Sequence, residues 1–172
     1  MKAILLLALL LPITAVAAPK VTVDRDPAAD FASYKTYYWA IKPQGGSPLV
    51  DQRIVDNIDA QLRNKGWTLG EQGDVAIAAH VSSSQKQTLD TFYSGTPLGG
   101  WGWRGWGGVG MGTATTDVHT YEVGTLVVDM FDSRTQKAIW RGTATGTLSS
   151  SPDKVNKAVD QALTKMFAKF PQ

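Results

Sequence analysis

Residues Gly124 to Ala144 read GTLVVDMFDSRTQKAIWRGTA. Leu126, Val128 and Met130 alternate with Val127, Asp129 and Phe131, a period of two that marks a β-strand. Asp132 to Lys137 is polar and turn-forming, and Ala138 onward alternates again, so the stretch is a β-hairpin. An antiparallel pair must set apolar side chains opposite apolar ones, which fixes the register. Met130 faces Trp140, Val128 faces Gly142 and Leu126 faces Ala144. On the reverse face the same register sets Asp129 opposite Arg141, a structural cross-strand ion pair. Gly142, Ala144 and Gly146 form a lane of small residues on the core face, where a helix can approach the sheet.

That helix follows directly. Ser151 and Pro152 form a helix start, and Val155, Val159, Ala162, Leu163, Met166 and Phe170 make an apolar stripe that Pro171 ends. A second Ser-Pro start stands at Ser47 and Pro48. Ile54, Val55, Ile58 and Leu62 are its stripe, Asp59 and Arg63 lie four apart on the solvated side, and Gly66 supplies the left-handed cap. Strands are expected near Val21–Asp24, over Lys35–Ile41, over Asp74–Thr88 and from about His119 to Asp132. The predicted fold class is α+β, an antiparallel sheet with two helices on one face, in a single domain over 18–172.

The first residues, MKAILLLALLLPITAVAAPK, combine a basic start, a short apolar run and a small-residue exit, which is the pattern of a secretory signal peptide over 1–17. The apolar run is shorter than the ~20 residues a membrane span needs, so no transmembrane segment is expected in the mature chain. Cleavage near Ala17 leaves a periplasmic or secreted protein, and no Cys follows for lipidation. The 172-residue chain has no Cys at all and a formal charge of +2, which falls to +1 when Lys2 departs with the signal. Thiol chemistry is excluded, and the lack of any basic block argues against nucleic acid as a partner.

Between the two long strands lies the tract GTPLGGWGWRGWGGVGMG, Gly95 to Gly112, with nine glycines and three tryptophans in eighteen residues. A Gly/Trp-rich loop over about 89–118 is expected to interrupt the strands. Gly100, Gly102 and Gly105 match G-x-G-x-x-G, but half the tract is glycine and no helix follows, so the match is compositional and no cofactor is expected. Trp101, Trp103, Arg104 and Trp106 are the candidate binding residues. Indoles stack on sugar rings, settle at membrane interfaces or fill pockets on protein partners, and Arg104 adds a hydrogen-bonding fork. The alternative is a solvated loop without function. Among other combinations, Ser82, Ser83 or Ser84 with His80 lacks a strained nucleophile turn. His80, His119 and Asp117 lack the short spacing of a zinc site, so no metal is expected.

The segments DFASYKTYYWA (Asp30 to Ala40), GTLVVDMFDSRTQKAIWRGTA and KMFAKFP (Lys165 to Pro171) resemble the bacterial domain-of-unknown-function family 4136. The resemblance covers nearly the whole mature chain. It implies a small envelope protein, lipoprotein-like in many relatives, with no established activity or catalytic residues. Two departures stand out: the lipidation Cys is missing, and Gln136 occupies a turn position where relatives tend to have Gly. The expectation is therefore a non-enzymatic envelope protein that contacts an unknown envelope component (protein, glycan or membrane interface), with its oligomeric state open. A hydrolase of cell-wall glycan is the alternative, and it requires paired carboxylates in a cleft.

Overall fold

The computed structural model describes residues 18–93 and 114–171, with the backbone alone for 89–93 and 114–116. Six strands and two helices follow in the order β1 (Lys20–Arg25), β2 (Thr36–Ile41), α1 (Pro48–Asn64), β3 (Thr68–Leu69), β4 (Val75–Tyr93), β5 (Ala114–Asp132), β6 (Ala138–Thr147) and α2 (Pro152–Phe167). One sheet holds all six strands in the order β1-β6-β5-β4-β2-β3.

The β5–β6 hairpin has the register read from its faces: Met130 pairs with Trp140, Val128 with Gly142, Leu126 with Ala144 and Asp129 with Arg141. β1 adds antiparallel to the outer edge of β6, setting Val21 against Ala144 and Val23 against Gly142. The other half of the sheet corrects the antiparallel expectation, because β2 runs parallel to both β4 and β3 and the sheet is mixed. The cause is α1. A helix of 17 residues covers ~26 Å and carries the chain back to the end of the sheet where β2 began, so the next strand must run alongside β2 in the same direction.

Both helices cover one face. In α1, Ser47 accepts from the Val50 N–H at 3.4 Å, Pro48 occupies the first turn, and Ile54, Val55, Ile58 and Leu62 are buried. Gly66 follows at φ 84°, and the Trp67 N–H closes on the Leu62 carbonyl at 3.0 Å. The second Ser-Pro start works differently, since the Ser151 side chain makes no capping bond and Pro152 alone marks the first turn. α2 also ends earlier than its stripe indicates, at Phe167, yet the chain folds back so that Phe170 is buried among Phe31, Trp67, Trp140 and Phe167, its ring centroid 5.3–5.6 Å from theirs. Aromatic packing of this kind, edge-on against Phe31, Trp67 and Trp140 and stacked on Phe167, adds about 0.5–1.5 kcal/mol per pair beyond burial.

The core beneath the helices consists of Tyr37, Val75, Ile77, Ala79, Leu126, Val128, Met130, Trp140 and Ala144 from the sheet, closed by Ile54, Ile58, Leu62, Leu163 and Met166. The small-residue lane brings α2 close. A Cβ on Gly142 would lie 2.3 Å from the Met166 sulfur and 2.6 Å from the Trp140 ring, so only glycine fits there.

Asp59 departs from the solvated role read for it. It accepts the Tyr37 hydroxyl at 2.8 Å and the Trp39 indole N–H at 3.0 Å, tying α1 to β2. The two helices are joined by Arg53, whose guanidinium lies 2.9 Å from Asp160.

Candidate functional site

β4 and β5 are each 19 residues long, about 60 Å at the rise of a strand. They pair without a break from Val75–Asp132 to Tyr93–Ala114. The rest of the sheet accompanies them only part of the way: β2 leaves β4 at Ala78, and β6 leaves β5 at Val123. Past that point the two strands form a free antiparallel arm, and Ser82 to Thr88 on one strand and Asp117 to Glu122 on the other are exposed. The loop expected over 89–118 is corrected at both ends, because β4 continues to Tyr93 and β5 starts at Ala114; the rest of that stretch lies outside the described residues. Thr, Val and aromatic residues favour extended backbone there, but the sequence lacks the apolar alternation that marks Val75 to Val81.

Tyr93 and Ala114 are a cross-strand pair, so the two ends of the intervening chain are one strand spacing apart at the far end of the arm. Trp101, Trp103, Arg104 and Trp106 lie outside the described residues, as do residues 1–17. The other three tryptophans belong to the fold: Trp67 and Trp140 are 5% and 1% exposed, and Trp39 is half-buried on Asp59.

The remaining candidates can be placed. His80 pairs with Val127 and His119 with Thr88. The two histidines are thus eight positions apart along the ladder, ~26 Å, and the zinc set of His80, His119 and Asp117 does not converge. No described group of three ligating side chains could hold a metal ion. Ser82, Ser83 and Ser84 line the exposed edge beyond His80, and among the described residues no hydrogen bond joins any of them to it. Asp129 and Arg141 meet on the helix-free face, with Arg141 Nη2 2.9 Å from Asp129 Oδ2 and Nε on Oδ1. Asp129 is 6% exposed, whereas Arg141 is largely in solvent. The guanidinium thus neutralises a carboxylate that would otherwise be buried alone, and that carboxylate raises the Arg141 pKa further.

Two carboxylates do converge, at the end of the sheet opposite the arm. Asp74 and Asp132 line a cleft of about 380 Å³ with Ser33, Tyr34, Gly73, Ser133 and Arg134. The sequence signals only Asp132, as turn chemistry, and the structure bears that out: its Oδ1 accepts the N–H groups of Arg134 and Thr135 at 3.0 and 2.7 Å. That turn holds Gln136 at φ 58°, the left-handed conformation that favours glycine. Tyr34 donates to Asp132 Oδ2 at 2.9 Å. Asp74 accepts from the N–H groups of Lys35 and Thr36 and from the Thr36 hydroxyl. These bonds hold both carboxyls below their ordinary range, the Lys35 N–H leading for Asp74 and the Thr135 N–H for Asp132. Burial, followed by the Asp132 bond, pushes Tyr34 up to about 12. Near neutral pH this cleft holds two hydrogen-bonded carboxylates and a locked phenol. A general acid needs the reverse, a carboxyl whose proton is retained.

No helix among the described residues is long and apolar enough to cross a membrane. No curated protein matches the chain. Among solved structures, a PDZ domain protein from Parabacteroides distasonis aligns over 91% of this chain at 12% identity with a TM-score of 0.51. The chain spans 38% of that protein's length. PelC from Paraburkholderia phytofirmans, a dodecamer, aligns over 88% of this chain and 98% of its own at 14% identity and a TM-score of 0.47. A putative neuraminyllactose-binding hemagglutinin homolog from Helicobacter pylori aligns over 94% and 92% at 10% identity and a TM-score of 0.45. At such identities the first of these speaks for the fold alone. The family model described as domain of unknown function (DUF4136) matches residues 21–172, nearly the whole chain, and the chain belongs to that family.

Proposed function

We propose that this chain is an exported envelope protein without catalytic activity of its own, which uses the Gly/Trp tract as an interaction surface for another envelope component. The observation that carries this reading is the arm. A ladder that continues past its neighbouring strands, exposed at Ser82–Thr88 and Asp117–Glu122, sets the ends of the tract far from the core. The core closes on its own aromatic residues. Trp101, Trp103 and Trp106, which lie outside the described residues, are the contact residues of this reading, with Arg104 as a polar fork. The leader-like first 17 residues and the absence of Cys support a periplasmic or secreted location without lipid attachment. A glycan hydrolase finds less support, because the carboxylate cleft lies at the other end of the sheet and both its acids are held ionised.

The test compares the intact protein with the W101A/W103A/W106A variant in sedimentation with purified peptidoglycan, flotation with phospholipid vesicles and capture from an envelope-protein extract. Loss of one of these three interactions in the variant, with an unchanged melting temperature, supports the reading and names the partner class. Equal behaviour of the two proteins in all three refutes it.

A further inference from the structure

A second cleft, of about 400 Å³, lies at the end of the sheet that carries the Val75–Asp132 pair, and the segment 31–35 separates it from the Asp74–Asp132 cleft. Three stretches outside the regular elements build it. Phe31 and Lys35 precede β2, Lys65 and Trp67 form the turn between α1 and β3 just after Asn64, and Phe170 follows α2. Phe31 and Trp67 each pack on Phe170 with ring centroids 5.6 Å apart, and all three rings are buried, so the floor of the cleft is apolar and fixed. The Lys65 ammonium lies 5.4 Å from the centroid of the Phe170 ring, and Lys35 is exposed on the opposite chain segment.

No carboxylate lines this cleft, and among the described residues neither lysine has an ion-pair partner. Asp74, which accepts the Lys35 N–H, belongs to the neighbouring cleft. The end of α1 brings the negative pole of a helix here, but the Leu62 and Arg63 carbonyls already accept the N–H groups of Lys65, Gly66 and Trp67. Two full positive charges therefore set the sign of the site. Residues 94–113 lie outside the described residues and attach at Tyr93 and Ala114, ~60 Å away along the β4–β5 ladder, whereas a segment of that length held at both ends extends only ~35 Å.

We infer that this cleft binds a small organic acid with an apolar ring. The carboxylate meets the ammonium groups of Lys35 and Lys65, the Asn64 amide adds a donor, and the ring covers the floor of Phe31, Trp67 and Phe170. The floor is packed before the ligand arrives, which lowers the ordering cost of binding. This site is separate from the Gly/Trp tract and does not depend on it.

The probe is para-fluorophenylacetate, followed by fluorine NMR on the chain beginning at Ala18, the form that signal cleavage leaves. The uncharged amide of the same acid is the control. The acid should bind saturably, and the amide at least about tenfold more weakly. K35M and K65M keep the aliphatic stems and should each weaken the acid several-fold while leaving the amide unchanged. The W101A/W103A/W106A variant should bind the acid as the parent does, which separates failure here from failure of the tract reading. Absence of saturation, equal affinity for acid and amide, a K35M/K65M double variant that binds like its parent, or loss of binding in the tryptophan variant would each overturn the inference. So would binding that appears only when Gln172, which lies outside the described residues, is deleted, since the end of the chain would then be the occupant. Should the double variant fail to fold, the comparison of acid with amide on the parent decides.

Discussion

Replacing Asp59 by Ala removes an acceptor for two donors at once, and the structure assigns the two losses different weights. Tyr37 is 1% exposed, and its hydroxyl, 2.8 Å from Asp59, loses its acceptor when the carboxylate is gone. An unsatisfied buried donor costs about 1–3 kcal/mol. The Trp39 N–H, 3.0 Å away on a half-buried ring, can be rehydrated and adds at most about 1 kcal/mol. A loss near 2–3 kcal/mol corresponds to roughly 4–12 °C in melting temperature for a domain of this size. Y37F should cost about 1 kcal/mol, since it removes donor and demand together. The double variant Y37F/D59A should then lose about 1 kcal/mol less than the sum of the singles. R63A, at the partner position the sequence pattern offers to Asp59, should change stability by less than about 0.5 kcal/mol. Urea denaturation of the four variants measures the cycle. If D59A proves as mild as R63A, or the cycle is additive, the anchoring of α1 to β2 through this carboxylate is wrong.

Three further outcomes are expected. Q136G should stabilise the β5–β6 turn by up to about 1 kcal/mol, because glycine adopts the φ of 58° without a side-chain penalty; a destabilised variant would point to an unseen role for the glutamine. Asp74 and Asp132 titrate lower in the folded chain than an ordinary carboxyl, so the folded state binds their protons less readily than the unfolded one. Their stabilisation is complete above the unfolded value of ~3.9 and is lost as pH falls from there toward the folded values. Denaturation midpoints measured between pH 6 and pH 3 should therefore fall on the acid side, and D132N should shallow that slope; an unchanged slope would remove Asp132 from the account. R141A should lower the melting temperature by a few degrees while leaving any envelope-component binding intact, as expected of a pair that serves the sheet; loss of binding at unchanged stability would reverse that reading.

The hairpin at Gly124–Ala144 was legible because its two faces differ in polarity, and only one register satisfies both. The helices were legible for the same reason, each having one apolar stripe. Four features escaped in whole or in part, each for want of such a contrast. The parallel pairing of β2 with β4 depends on where α1 returns the chain, which requires weighing helix length against strand length rather than reading local pattern. Asp59 looks like half of an i,i+4 pair, and only the sheet beneath it reveals two donors. The strands expected over Asp74–Thr88 and from His119 run on to Tyr93 and back to Ala114, where the sequence lacks the alternation that marked Val75 to Val81. The Asp74–Asp132 cleft joins residues 58 positions apart in the chain. Of the candidate binding residues, the sequence singles out the indoles by composition, and the described fold supplies the arm that leads to them.

The central claim is that folding and partner recognition are divided, the sheet and helices serving the first and the Gly/Trp tract the second. The direct measurement excises Gly95 to Gly112, closes the arm with an Asn-Gly turn, and compares the excised and intact proteins for capture of envelope components. The account predicts an unchanged melting temperature and loss of the captured partner. Undiminished capture by the excised chain would contradict it.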